Sequence, residues 1–179
     1  YERVLAYSGI EHMGLLALGA GLGGAALYGA LLHAVNHSAV KAGLFLLAGN
    51  FLAAYRTKTI ARVAGGIRRL PATGLLWLAG LFAIAGSPPF GTFASEFTIL
   101  KEAFAPGRTA VGIAALAALA IAFAGMSKAF LGMALGRPPD EAPAEREAAA
   151  TVWPALALLA ASLVLGFWIP SGLQAGLEH

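Results

Sequence analysis

Charge along this chain is confined to short blocks, and the apolar runs between them are long enough to cross a lipid bilayer. From Thr109 to Ser127 there is no charged residue at all, and about 20 apolar residues in a helix span the hydrocarbon core. A soluble domain carries about 25% charged residues; here the fraction is 12%, against 59% hydrophobic. The expected fold is therefore an all-α, polytopic transmembrane helical bundle. Disorder, a coiled coil and a collagen-like chain each need more charge or a repeat that is absent. With no cysteine, disulfide scaffolds, thiolate zinc sites and cysteine-ligated iron–sulfur clusters are excluded. No flavin or nicotinamide motif is present either, so no cofactor is expected and any redox centre belongs to a partner.

About five crossings are expected. The first runs over about 4–21 and is joined by the turn Gly21-Leu22-Gly23-Gly24 to the second, about 26–54. The segment 55–70 then holds Arg56, Lys58, Arg62, Arg68 and Arg69 with no acidic residue, which predicts a cytoplasmic loop. The third crossing, 74–104, is a discontinuous helix: two short apolar runs meet at Ser87-Pro88-Pro89-Phe90-Gly91, and neither spans alone. The fourth covers 109–135 and the fifth 151–169. Between them, 136–149 reads as a mobile extramembrane loop. Threading these in order puts the N-terminal end and loop 136–149 on the side of loop 55–70. Lys128 then reads as an interfacial anchor, and Lys101 with Glu102 as a surface pair. The chain opens at Tyr1 with no secretory signal pattern and reads as a fragment; Leu177-Glu178-His179 receives no function.

Ionisable groups inside a crossing cost about 2.5–3.5 kcal/mol on the insertion scale, so each requires a reason. Glu11 and His12 lie in the first crossing, His33, His37 and Lys41 in the second, and Glu96 in the second half of the broken helix. A lone buried histidine is ordinarily a polar group satisfied in helix contacts. His33, His37 and Lys41 recur every four residues, however, and so climb one helix face in steps of about 6 Å. Water can bridge such steps, which gives a ladder able to pass protons, with Asn36 and Ser38 close by. Glu96 falls in the first turns after the break, where free backbone donors and the helix dipole would favour its carboxylate. His33-x-x-x-His37 also has the spacing of a helical metal site, but Ala34-Val35 stands where a zinc protease has its glutamate. No resident metal is expected.

Three blocks carry a resemblance to a known family: Leu5-Ala6-Tyr7-Ser8-Gly9-Ile10-Glu11-His12-Met13-Gly14, the stretch from His33-Ala34-Val35-Asn36-His37 to Lys41-Ala42-Gly43-Leu44-Phe45-Leu46, and Gly86-Ser87-Pro88-Pro89-Phe90-Gly91 through Ser95-Glu96-Phe97-Thr98-Ile99-Leu100-Lys101. They resemble the antiporter-like proton-translocating membrane subunits of complex I, membrane-bound hydrogenases, formate hydrogenlyases and multisubunit sodium/proton antiporters. The wording is most similar to the F component of the hydrogenase-4 type. The resemblance implies a C-terminal piece of a fourteen-helix fold, holding most of the second of two inverted repeats. It also implies that Glu96, where relatives often have lysine, is the proton carrier, fed by a relay through His33, His37 and Lys41. Glu11 and His12 join them as candidate proton-transfer residues, with Pro88, Pro89 and Gly91 forming the helix break.

The function expected is proton translocation coupled to redox chemistry in other subunits of a hydrogenase-4, formate hydrogenlyase or NADH:quinone oxidoreductase-like complex, with no catalytic residue of its own. The alternatives are a subunit of a multisubunit sodium/proton antiporter and a structural membrane scaffold. Expected partners are the other membrane and peripheral subunits of such a complex, the lipid bilayer, and protons or sodium ions; nucleic acid is not among them. The expected location is the inner (cytoplasmic) membrane.

Overall fold

A computed structural model describes residues 1–137 and 146–170. The described residues form helices joined by turns: α1 (Glu2–Leu22), α2 (Gly24–Tyr55), a one-turn α3 (Gly66–Arg69), α4 (Pro71–Ile84), α5 (Gly91–Ala103), α6 (Thr109–Leu135) and α7 (Ala149–Phe167). Three of them, α2, α6 and α7, are long and apolar enough to cross a membrane. At 1.5 Å per residue α1 reaches about 31 Å, enough to span by length, but it includes Glu2, Arg3 and Glu11. Helices α4 and α5 would each extend only about 20 Å.

The hairpin of α1 and α2 turns within one residue. Gly23 (φ 73°) and Gly24 (φ 53°) both adopt left-handed backbone, which a residue with a Cβ occupies only at a cost of about 1–2 kcal/mol. The break between α4 and α5 covers 85–90 and contains Gly86, also at positive φ, and a cis Pro88–Pro89 bond. Irregular backbone at membrane depth must find its hydrogen bonds within the protein. Here Ser87 N donates to Phe82 O (3.0 Å) and Phe90 N to Ser87 O (3.1 Å), and the Thr92 hydroxyl donates across the break to Ala83 O (2.5 Å).

Helix α2 is the central post, in contact with α1, α4, α5 and α7, while α6 leans against α1, α4 and α5 and keeps much of its surface outward. Two apolar layers form. The larger contains Leu5, Leu44, Phe51, Trp77, Phe130 and Leu159; the smaller is Leu15, Ala30 and Ile99. Trp77 anchors the first, fully buried, stacked on Phe130 at 4.3 Å between centroids and edge-on to Phe51 at 5.3 Å. In α1 and α2 the buried histidines lie between the two layers in sequence: His12 between Leu5 and Leu15, His33 and His37 between Ala30 and Leu44.

Connecting segments gather at the end of the larger layer. The Glu2 carboxylate pairs with Lys58 at 2.9 Å, and Tyr1 Oη donates to Thr57 O (3.2 Å). Glu147 accepts from Ala72 N (2.7 Å) and Thr73 N (3.0 Å), and from the Thr73 hydroxyl. A carboxylate on the first free N–H groups of α4 satisfies orphan donors and complements the helix dipole. The start of α1, the segment after α2 and the segment before α7 thus share one end, as the charge pattern predicts. Of the segment expected to form a mobile extramembrane loop, residues 138–145 lie outside the described residues, and Glu147 is held against α4, where its carboxylate is the cap that α4 otherwise lacks. Lys128, in the last two turns of α6, is exposed, as is Lys101 on α5, which forms no ion pair with Glu102 among the described residues.

Replacing Trp77 by alanine removes the largest fully buried side chain and should destabilise the bundle by about 3–5 kcal/mol. Phe167→Ala, at a ring 76% exposed, should leave the thermal midpoint of the detergent-purified protein nearly unchanged. Equal shifts for the two would refute this packing.

Candidate functional site

Four of the ionisable residues singled out in the sequence, His12, His33, His37 and Glu96, converge from three helices. His12 of α1 faces His33 of α2, with Nδ1 and Nε2 2.9 Å apart. His33 Nδ1 lies 2.9 Å from the Ser95 hydroxyl of α5, and Ser95 in turn donates to Thr92 O (2.8 Å). His37 completes a triangle of rings, 4.2 Å from His12 and 5.8 Å from His33 between centroids. The Glu96 carboxylate stands 3.9 Å from His12 Nδ1. All three histidines and Glu96 are buried.

Hydrogen counting fixes the tautomers. A serine hydroxyl has one hydrogen, and that of Ser95 goes to Thr92 O, so Ser95 accepts from His33 and His33 Nδ1 carries the proton. Neutral His33 then has a bare Nε2, which accepts from His12 Nδ1–H. Neutral His12 is left with a bare Nε2, buried and without a hydrogen-bond partner, as is His37 Nδ1. The chain is therefore directional and ends on a backbone carbonyl. A proton that reaches His33 cannot leave through Ser95. One that reaches His12 makes an imidazolium 3.9 Å from Glu96, the acid able to carry it onward.

Glu96 Oε1 has no hydrogen-bond partner, and this corrects the expectation of backbone donors. Glu96 sits in the second turn of α5, beyond the first-turn N–H groups, and the helix dipole fades over that distance. Its side chain instead reaches back toward the break, where a Cβ on Gly86 would collide with the carboxylate. Glu96 also borders a cleft of about 300 Å³ between α5 and α6, with Gly86, Phe97, Leu119 and Phe123. Glu11 borders two similar clefts between α1 and α6, and its buried Oε2 is likewise unpartnered.

The ladder on α2 is not a straight line. Lys41 turns to α1, where Nζ donates to Leu5 O and to the Ser8 hydroxyl (2.7 Å), so it braces the start of the hairpin. Ser38 faces outward and bonds to Ala34 O of its own helix. Asn36 takes part differently, accepting from Ser162 of α7 (3.0 Å) and donating to Leu32 O (3.1 Å). Of the break residues, Gly91 packs on the Asn36 amide so closely that a Cβ there would overlap it. Sequence reasoning missed Ser95, Thr92 and Ser8. Ser95 and Thr92, three residues apart, share a helix face, and adjacency to Glu96 was the only available signal.

A broken helix packed on a central helix, with a titratable histidine cluster and a buried carboxylate at the break, defines a class of polytopic membrane protein built around an intramembrane ionisable site. The family described as "NADH:quinone oxidoreductase/Mrp antiporter, TM" matches residues 1–124, and the chain belongs to it. The Hydrogenase-4 component F homolog of Methylacidiphilum infernorum is 43% identical over 105 residues, covering 58% of this chain and 22% of that protein. The NADH-quinone oxidoreductase subunit L of Mycobacterium tuberculosis is 34% identical over 172 residues, covering 92% of this chain and 27% of that protein. A chain in the structure of the Mrp complex from Dietzia sp. superposes with a TM-score of 0.83 at 25% identity, over 97% of this chain and 40% of the other. The chain thus spans about a quarter of the length of these curated relatives.

Gly86→Ala should displace the Glu96 carboxylate without touching a titratable group. In the full-length protein, the carboxyl band assigned to Glu96 by its loss in Glu96→Gln should shift in infrared difference spectra. An unmoved band would contradict the contact.

Proposed function

We propose that this chain is the C-terminal part of a longer proton-translocating subunit, and that protons move through His37, His12 and Glu96. The observation that carries the proposal is the 3.9 Å approach of Glu96 to a histidine cluster buried among three helices. Lys41 and Glu11 flank the cluster toward the start of α1. Their charges bias which ring holds the proton, since Coulomb interactions over several ångströms are strong where water is scarce. Glu96 collects the proton and passes it to the cleft beside α6. His33, locked by Ser95, holds and orients His12. The chain supplies no electron carrier in this scheme. Free energy arrives from redox chemistry in other membrane and peripheral subunits of a hydrogenase-4, formate hydrogenlyase or complex I-like assembly, by electrostatic and conformational coupling. Segment 55–70, with its five basic residues, faces the cytoplasm, and the assembly lies in the inner membrane.

A second reading, a subunit of a sodium/proton antiporter, is favoured by the likeness to the Mrp complex. Sodium-dependent proton flux in proteoliposomes without any electron donor would select it.

In the intact complex, Glu96→Gln should abolish proton translocation while the electron-transfer reaction continues, and Lys41→Ala should act similarly. Normal pumping in Glu96→Gln would sink the proposal. A scaffold role predicts that His33→Asn with His37→Asn is tolerated, because asparagine keeps hydrogen bonding and loses only titration. The proton-transfer reading predicts that this double variant assembles but does not pump.

A further inference from the structure

We propose that His12, His33, His37 and Glu96 form a zinc-binding site, and that zinc held there blocks proton transfer. One ring nitrogen from each histidine lies within 4.8 Å of the others, and His12 Nδ1 and His33 Nε2 are already 2.9 Å apart. Tetrahedral zinc with bonds of about 2.0–2.1 Å places its ligand atoms about 3.3 Å from one another. The first pair opens by a few tenths of an ångström, and His37 closes by less than about 1.5 Å, within reach of side-chain rotation. Glu96 Oε1, 3.9 Å from His12 Nδ1, supplies a fourth ligand and a compensating negative charge.

Three further observations point the same way. His37 Nδ1 and Glu96 Oε1 are buried atoms with no hydrogen-bond partner, and such orphans are few in native proteins. His33 already has the outer support that ligating histidines use: its Nδ1–H donates to Ser95, and Ser95 to Thr92 O. The cleft of about 300 Å³ beside α6 borders Glu96, so the carboxylate is not sealed off on that side. Donor chemistry selects the ion. Three imidazoles and one carboxylate suit zinc, whereas magnesium, calcium and sodium are hard ions that prefer oxygen. The i, i+4 pair His33 and His37 shows only half of this set in the sequence; His12 arrives from another helix.

Binding rests on geometry alone, and the block on transport rests on the proton-transfer reading, so the two fail separately. The full-length subunit in its complex would be stripped with a chelator and titrated with Zn²⁺ against a chromogenic competitor. One tightly held zinc per chain is expected, with an X-ray absorption shell of nitrogen and oxygen at about 2.0–2.1 Å and the multiple scattering of imidazole. His12→Asn and His37→Asn should each weaken binding more than 100-fold, and Ser95→Ala about 10–100-fold; Lys128→Ala should change nothing. Absence of tight zinc from the wild-type complex, a shell without imidazole, or full affinity in both histidine variants would overturn the site. Zinc bound as described without slowing proton flux would leave the site standing and count against the transfer path.

Discussion

The hydrogen bonds from His12 to His33 and from His33 to Ser95 hold together three helices through side chains that are all buried. A buried polar group without a partner costs about 1–3 kcal/mol, so α1, α2 and α5 are oriented about their axes by the need to bring these side chains together. That requirement explains the short glycine turn between α1 and α2, which fixes His12 opposite His33. It also explains why the helix break lies at 85–90, which brings Ser95 and Glu96 of α5 to the same depth. The two apolar layers on either side carry the packing. The polar layer carries the specificity of register.

The same layer is incompletely satisfied, and its deficit is concentrated. Atoms of Glu11, His12, His37 and Glu96 are buried without hydrogen bonds, while Lys41, Asn36 and Ser95 are well supplied. A static scaffold would be expected to satisfy these groups or to replace them by apolar ones. Groups left with a free lone pair can accept a proton, or a metal ion, at little structural cost. Both proposals thus arise from one property: the site has more acceptors than donors, in a place where charge is expensive.

Much of the fold was legible because its causes are local in sequence. The apolar runs set the helices, the Gly-rich segment set the first turn, and Ser87 to Gly91 announced the break to within two residues of its observed limits. The basic segment 55–70 and Glu147 meeting at one end follow from charge. Half of the site was legible too, since an i, i+4 spacing puts His33 and His37 on one face. What was not legible depends on how separate helices rotate against each other. Nothing in the order of residues says that Lys41 turns to Ser8 rather than to His37, or that Ser38 faces outward. Ser95 was invisible for a different reason: a serine inside a helix is common, and only a histidine from another element gives it a role. Glu96 was singled out as an ionisable group inside the bundle and is buried there, but its backbone surroundings differ from the expectation, because one helical turn separates it from the free N–H groups of α5.

The central claim is that His12, His37 and Glu96 titrate as one connected unit, held in place by His33. It is tested most directly by solid-state NMR of the full-length protein with ¹⁵N-labelled histidine in liposomes, comparing spectra before and after a proton gradient is imposed. The expected result is that His33 rests with its proton on Nδ1, that His12 and His37 change protonation together under the gradient, and that Glu96→Gln abolishes the change. If protons cross while all three rings keep their resting signals, the path lies elsewhere in the protein and the claim is wrong.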